Sequence, residues 1–414
     1  MSRPLAFLRS RFPVLLGVTT LALFLLLGTH SRGSVSAAWQ TLGIPAMSET
    51  FADTRMVTYP IDCVLKGIDP YDRSSCHPLE SVYNYPPVWL GLRYLGVTSR
   101  SSVLVGAILV IMFLAALLML FKAEKWISAA VVFAGILSRP PLFAVERGNV
   151  DLAIFSLLVF GLFLVDRQKT STKSFLTGIL IVFLTVLKIY PIAAVAVFLR
   201  NRKGFLTALL TGVLSISALI LTSGSDLLHV IRNTPQKVVA SYGAFPFLFV
   251  IGIRISHSLG IALENHHWMA SAGGVVLAAI AMWFGTIQGE KLNRFLPPLN
   301  FESAIGRVAV ACLVIYCFTF LIGSAFDYRL IFLLGVLAYL VHDLNRHASF
   351  RSLPACIVLL CFLWMPLTSF IVLKQILGGL VFMSANAWFG STLPIHLRTA
   401  EAENPGRATH AAYI

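Results

Sequence analysis

Residues 51–89 read FADTRMVTYPIDCVLKGIDPYDRSSCHPLESVYNYPPVW, a polar island in an otherwise apolar chain. The stretch gathers Asp53, Asp62, Asp69 and Asp72 beside Tyr71, Tyr83 and Tyr85, and it lies inside the first long segment between hydrophobic runs, 30–102. A large acidic, tyrosine-rich loop placed first among apolar runs predicts chemistry at a membrane face rather than a pore.

The surrounding sequence sets the solvent. Hydrophobic residues make up 57% of the 414 positions and charged residues 12%, with a mean hydropathy of +0.82. That composition excludes a soluble globular domain. The apolar residues fall in runs of about 17–22, each long enough to cross a hydrocarbon core of ~30 Å as a helix. The net charge of +14 is carried by short basic clusters between those runs. This is how cytoplasmic loops are marked, so a nucleic-acid partner is not expected.

Alternation then fixes orientation. Pro13–Thr29 follows Arg3, Arg9 and Arg11 and reads as an uncleaved signal anchor, although Ser34–Ala38 offers small residues for cleavage. With the amino terminus inside, spans run near 13–29, 103–121, 126–144, 149–165, 204–222, 268–286, 308–326, 328–344, 353–373 and 376–392. Residues 174–200 are too short for two full spans yet have basic residues at both ends. A re-entrant helical hairpin broken at Lys188-Ile189-Tyr190-Pro191 satisfies both facts, because proline stops a helix and covered backbone tolerates the break. The basic residues Lys122, Lys125, Arg167, Lys169, Lys173, Lys291, Arg294, Arg307, Arg346, Arg351 and Arg398 all fall inside. The expected fold is therefore all-α and polytopic, with about eleven spans, the hairpin and outer-face amphipathic helices. It forms one integral-membrane domain, 1–397, followed by a polar, disordered cytoplasmic tail, 398–414.

Three outer segments do not cross. Residues 86–98 predict a short helix at the interface. Within a second outer loop, 223–267, Asp226–Val239 reads as amphipathic and 245–263 as partly embedded. Of the six cysteines, Cys312, Cys317, Cys356 and Cys361 fall in spans and read as apolar fillers. Cys63 and Cys76 share the outer loop, where a disulfide would close a short loop and stabilise it by about 3 kcal/mol. No Cys/His spacing suggests zinc.

Charges in or beside spans need a partner or a task. Arg139-Pro140-Pro141 breaks the third span, and Glu146-Arg147-Gly148-Asn149-Val150-Asp151 forms the outer turn before the fourth. Lys188 and Tyr190 occupy the hairpin tip, and Asp327-Tyr328-Arg329 forms a later outer turn. Each turn taken singly reads equally well as an interfacial anchor. Together they fall at or point toward one face, where they can meet the first loop in a polar cavity.

These residues resemble glycosyltransferase family 87, polytopic enzymes of the GT-C class that use lipid-linked sugars. The family pattern is an Asp soon after the first span, Gly-x-Asp-Pro-Tyr, and Tyr-Pro-Pro entering the next helix. Here these are Asp53, Gly67-Ile68-Asp69-Pro70-Tyr71 and Tyr85-Pro86-Pro87. Arg147-Gly148-Asn149 matches the turn that follows, and Lys188–Lys203 matches a Lys-x-Tyr-Pro with a short basic-ended helix. Glu-Arg-Gly-Asn-Val-Asp stands where Gly-Gln-x-Asn is common, which leaves the sugar and the acceptor open. The resemblance implies a GT-C fold and, from the mycobacterial α-1,2-mannosyltransferases of the family, transfer of mannose from a polyprenyl-phosphate donor with Asp53 as general base.

The expected chemistry follows. Nucleotide sugars do not occur outside the plasma membrane, so an activated hexose must arrive on a lipid phosphate; the chain has no phosphate-cradling glycine loop. Asp53 would deprotonate the hydroxyl of a glycolipid or glycan acceptor. Lys188, Arg329, Arg147 and Arg139 would hold the leaving phosphate. Tyr71, Tyr85, Trp89, Glu146, Asn149, Asp151, Tyr190 and Asp327 would contact sugars. Direct displacement inverts the anomeric centre. No cofactor is needed, since side chains can neutralise the phosphate, and the cluster Asp62, Asp69, Asp72 leaves a divalent cation open. Alternatives are a lipid-linked glycan polymerase or ligase, which usually carries its large outer loop late in the chain, and a polyprenyl-linked sugar transporter or flippase, which often shows internal repeats.

Overall fold

The computed structural model describes residues 3–72, 82–199, 202–224, 226–234, 238–249, 267–347 and 351–402, and over them the chain is almost wholly helical. Among the described residues six helices are long and apolar enough to cross a membrane: Arg9–Ser31, Ser99–Leu120, Lys203–Ser223, Met269–Ile287, Ala304–Leu321 and Ile371–Leu393. A seventh crossing forms if Trp126–Ile136 and Arg139–Arg147, bent by 42° from each other, are taken as one. The bend falls where the sequence places Arg139-Pro140-Pro141, because two prolines at a helix start remove amide donors.

The other predicted spans are shorter helices. Asp151–Asp166 has 16 residues. The hairpin is a longer first arm, Thr170–Leu187, and a 3-10 arm, Tyr190–Phe198, joined at Lys188 and Ile189. The span expected at 308–326 begins earlier and stops at Leu321, since Ala325 and Phe326 pair with Tyr242 and Ser241 as a two-residue antiparallel ladder. Residues 327–332 make a 3-10 turn before the helix Leu333–Arg346. In the segment expected at 353–373 the helix stops at Leu363, short of Pro366, which cannot continue a helix, and its last residues, from Ile371, belong to the next helix. The final helix runs on to Ala402, so the start of the polar tail is helical; residues 403–414 lie outside the described residues. Within 223–267, Asp226–Asn233 is helical, and most of 245–263 lies outside the described residues.

Burial separates centre from rim. The central helices Ala304–Leu321 and Leu333–Arg346 bury nearly every apolar side chain. The first helix and Arg202–Ser223 instead expose large ones, including Leu26, Leu27, Leu214 and Leu221. Such surfaces suit a hydrocarbon solvent. They would be costly in water.

A second, smaller core holds the first loop together. Val57 and Ile61 pack with Tyr71, Tyr83, Tyr85, Leu90, Val150 and Val230. The Tyr71 hydroxyl donates to the Tyr85 carbonyl at 3.0 Å, and Tyr83 donates to the Pro86 carbonyl at 3.2 Å. Both tyrosines bury a ring and satisfy a polar tip. Trp89 enters from the 3-10 helix Pro87–Leu95 and donates its indole N–H to the Leu187 carbonyl at 2.9 Å, tying this core to the hairpin. Cys63, in the helix Ala52–Leu65, is disulfide-bonded; its expected partner Cys76 lies outside the described residues. Cys312, Cys317, Cys356 and Cys361 are free.

Candidate functional site

The position of Asp53 is set by Phe51, the residue before its helix. Phe51 adopts φ 56°, a left-handed conformation uncommon for a bulky side chain. Two glycines make room for its ring. A Cβ at Gly106 would come within 2.3 Å of the Phe51 ring, and one at Gly148 would come within 2.8 Å of Phe51 and 2.5 Å of Thr54 Oγ1. Gly148 also needs its own φ of 57° to end the helix Arg139–Arg147. The Thr54 hydroxyl donates to the Gly148 carbonyl at 2.6 Å, and Thr58 bonds to Ser102 at 2.7 Å. The first residues of the Asp53 helix are thus clamped against the 147–149 turn.

From that turn a polar chain runs inward. Asn149 Nδ2 donates to Asp53 Oδ2 at 2.5 Å, while Asn149 Oδ1 accepts the Asp151 amide at 2.8 Å. Among the described residues, Asp53 Oδ1 carries no hydrogen bond. Asp151, wholly buried at the start of the helix Asp151–Asp166, is the hub. Its Oδ1 accepts from Lys188 Nζ and from the Tyr190 hydroxyl at 2.8 Å. Its Oδ2 lies 3.4 Å from Arg329 Nε; both atoms are buried without a hydrogen bond. Burying a carboxylate this deeply is stabilising only with such partners.

Lys188 and Arg329 reach past Asp151 to a cavity of about 140 Å³ lined also by Asn84, Tyr85, Ser324 and Tyr328. The Lys188 ammonium lies 5.5 Å from the centre of the Tyr85 ring, and the Arg329 guanidinium 5.6 Å from that of Tyr190, both within cation–π range. Burial pulls the Lys188 ammonium down to about 8, although Asp151 opposes this. Burial also raises the Asp53 carboxyl above its ordinary value, against the pull of Arg147, the Asn149 hydrogen bond and Lys188.

The other expected site residues have different surroundings. Glu146 and Arg147 pair at 3.0 Å, Glu146 accepts the Met47 amide, and Arg147 donates to the Pro45 carbonyl; both lie close enough to Asp53 to act on it electrostatically. Arg139 donates to the Trp364 carbonyl and does not line the cation-bearing cavity. Asp327 points the other way, into a buried ion pair with Lys374 at 2.6 Å. Tyr71, Trp89 and Tyr190 hold the scaffold through the bonds above. Asp62 and Asp69 accept the backbone amides of Ser99 and Tyr71, and among the described residues no three His, Cys, Asp or Glu side chains converge as a metal site.

Sequence reasoning missed Tyr328 and Lys374. Tyr328 lay in the quoted Asp-Tyr-Arg turn, but its place beside Asn149 and the cavity depends on how the turn folds. Lys374 had a usable signal, a charged residue at the end of a span.

A model of glycosyltransferase family 87 matches residues 83–299, and the chain belongs to that family. It is a membrane glycosyltransferase. The match takes in Tyr85, the Glu146–Asp151 turn and Lys188, while Asp53 and Arg329 lie outside it and join the same cluster only through the fold. No curated protein and no solved structure matches the chain.

Proposed function

We propose that this protein transfers a hexose, mannose being the unit the family resemblance favours, from a polyprenyl-phosphate donor to a glycolipid or glycan acceptor at the outer face of the plasma membrane. The observation that carries the reading is the linkage of Asp53, one of whose carboxylate oxygens has no hydrogen bond among the described residues, through Asn149 and Asp151 to two largely buried cations, Lys188 and Arg329, that line one cavity. In this reading the acceptor hydroxyl gives its proton to Asp53 Oδ1 as its oxygen bonds to the anomeric carbon from the face opposite the phosphate. The bond from that carbon to the phosphate oxygen breaks, its electron pair stays on the phosphate, and polyprenyl phosphate leaves. Configuration inverts.

Asp151 sets the cations before the donor arrives. A phosphate then meets ammonium and guanidinium groups already oriented, and the charge growing on the leaving oxygen is stabilised without reorganisation. The charges supplied by Lys188 and Arg329 suffice for this step without a metal. The disulfide at Cys63, on the helix that carries Asp53, supports an oxidising, extracytoplasmic location for the site. A GT-C arrangement with both termini cytoplasmic suits the alternation of basic loops.

The test is Asp53→Asn in nanodisc-embedded protein given a polyprenyl-phosphate hexose. General-base loss should slow transfer by about 10²–10⁴-fold while the melting temperature holds. Near-normal transfer by that variant would remove Asp53 from the role.

A further inference from the structure

Most polar groups lining the cavity beside Lys188 and Arg329 already have partners. Asp151 engages Lys188, Arg329 and Tyr190. The Thr234 hydroxyl donates to the Val230 carbonyl at 2.7 Å, and Tyr328 is hydrogen-bonded to the Asn149 side chain. The Asn84 side-chain amide and the Tyr85 hydroxyl line the same cavity and, among the described residues, carry no hydrogen bond. We infer that Asn84 is a specificity-determining residue of the donor site: its amide, with the Tyr85 hydroxyl beside it, hydrogen-bonds ring hydroxyls of the donor hexose and selects which epimer is accepted. The inference rests on the transfer reading above and deepens it, naming the residue that reads the sugar as distinct from those that hold the phosphate.

The backbone at Asn84 is fixed from both sides. The Tyr83 amide donates to the Pro70 carbonyl at 3.3 Å, and the Tyr83 hydroxyl to the Pro86 carbonyl at 3.2 Å. The Tyr71 hydroxyl donates to the Tyr85 carbonyl at 3.0 Å. Pro86 and Pro87 follow, each with a locked φ. Asn84 therefore presents its side chain from a stretch that has little freedom left to lose when a ligand binds.

Chemistry divides the cavity wall. Lys188 and Arg329 only donate, which suits a phosphate, and every donor of this class carries the same phosphate. An amide both donates and accepts, as does a phenol, and sugar hydroxyls need both. Tyr85 is 7% exposed, and a phenol buried that far ordinarily bonds a partner. The cavity is where its unpaired tip can find one.

Placement agrees with that division. The Lys188 ammonium lies 5.5 Å from the centre of the Tyr85 ring, and Tyr85 is also close enough to Asp53 for the two to act on each other electrostatically. A hexose whose phosphate rests on Lys188 and Arg329 thus has its ring against Tyr85 and the adjoining Asn84. Selection follows from what a mismatched sugar leaves behind. An epimer that turns its hydroxyl away strands the Asn84 amide unpaired, and a site built to hydrogen-bond a hydroxyl rejects the analogue lacking it for that reason.

The experiment measures the binding of short-chain polyprenyl-phosphate hexoses to nanodisc-embedded protein, using the manno, gluco and galacto epimers with 2-deoxy and 4-deoxy analogues. Wild type should bind one epimer at least about tenfold more tightly than another. Asn84→Ala should bring the epimers within about threefold by weakening the preferred one, while the deoxy analogue that lacks the contacted hydroxyl binds as it does to wild type. Lys188→Ala should instead weaken every donor by a similar factor, because the phosphate is common to all. Where Asn84→Ala loses its melting transition, Asn84→Asp carries the test: it keeps the shape, loses the amide donor, and should also alter the preference. Equal binding of all epimers by wild type overturns the inference, and so does a preference kept intact in the Asn84 variants. The transfer reading fails separately: epimer-selective binding that depends on Asn84, with no release of polyprenyl phosphate when acceptor is supplied, sinks transfer and leaves the Asn84 assignment standing.

Discussion

Deleting one amide tests whether Asn149 acts through the Asp53 carboxylate. Asn149→Ala removes the donor 2.5 Å from Asp53 Oδ2 and the acceptor holding the Asp151 amide. A hydrogen bond to a charged group contributes about 1.5–3 kcal/mol. Asp53 is partly open to solvent, so the lower end applies, and about 1.4 kcal/mol corresponds to one pH unit. The direction is fixed by the opposing effects: burial raises the carboxyl, and the Asn149 bond lowers it. Without that bond the carboxyl rises further, so less of the base form exists at any pH on the acid side. The acid limb of the pH–rate profile should move up by about one pH unit, which is about a tenfold loss on that limb, with recovery as pH rises. Asn149→Asp places a second negative charge beside Asp53 and should move the limb further than alanine does. The measurement is the initial rate of polyprenyl phosphate release against pH for the three proteins. A limb fixed at its wild-type position, with turnover reduced equally at every pH, would refute the reasoning and leave Asn149 as a brace for the turn.

Three further outcomes follow from the same geometry. Lys188 carries its charge below its value of about 8 and loses it as pH rises through that value; wild-type donor affinity should fall there, Lys188→Arg should carry the basic limb higher, and Lys188→Ala should raise donor KM by at least about tenfold, as one lost charge-assisted bond implies. Unchanged donor affinity in Lys188→Ala would take it out of the phosphate site. Gly148→Ala imposes a left-handed residue and a Cβ 2.5 Å from Thr54 Oγ1, so about 2–4 kcal/mol of destabilisation and lost turnover are expected, read by thermal unfolding in nanodiscs. Lys374→Met leaves Asp327 buried and unpaired beside the Tyr328–Arg329 turn, and should destabilise by about 3–5 kcal/mol; a double variant with Asp327→Leu should recover much of it.

The sequence alone determined the solvent, the helical class and most crossings. Those features are local: run length, basic flanks and proline positions act within about twenty residues and need no partner. It also marked Asp53, the Glu146–Asp151 turn, Lys188 and Asp327-Tyr328-Arg329 as charges wanting an explanation. What it left undecided was which of them meet. Asp327 and Arg329 are two residues apart on one turn, yet Arg329 pairs with Asp151 and Asp327 with Lys374. That division depends on how the Asp327–Phe332 turn is held by the Ser241–Phe326 ladder and the last helix. Asp151 read as a sugar contact and is instead the anchor of both cations. Trp89 read as a stacking ring and ties the first loop to the hairpin. The crowding of Phe51 against Gly106 and Gly148, which aims Asp53 at Asn149, joins residues dozens of positions apart. Only tertiary packing decides it, because the worth of a buried charge lies in partners that sequence distance does not reveal.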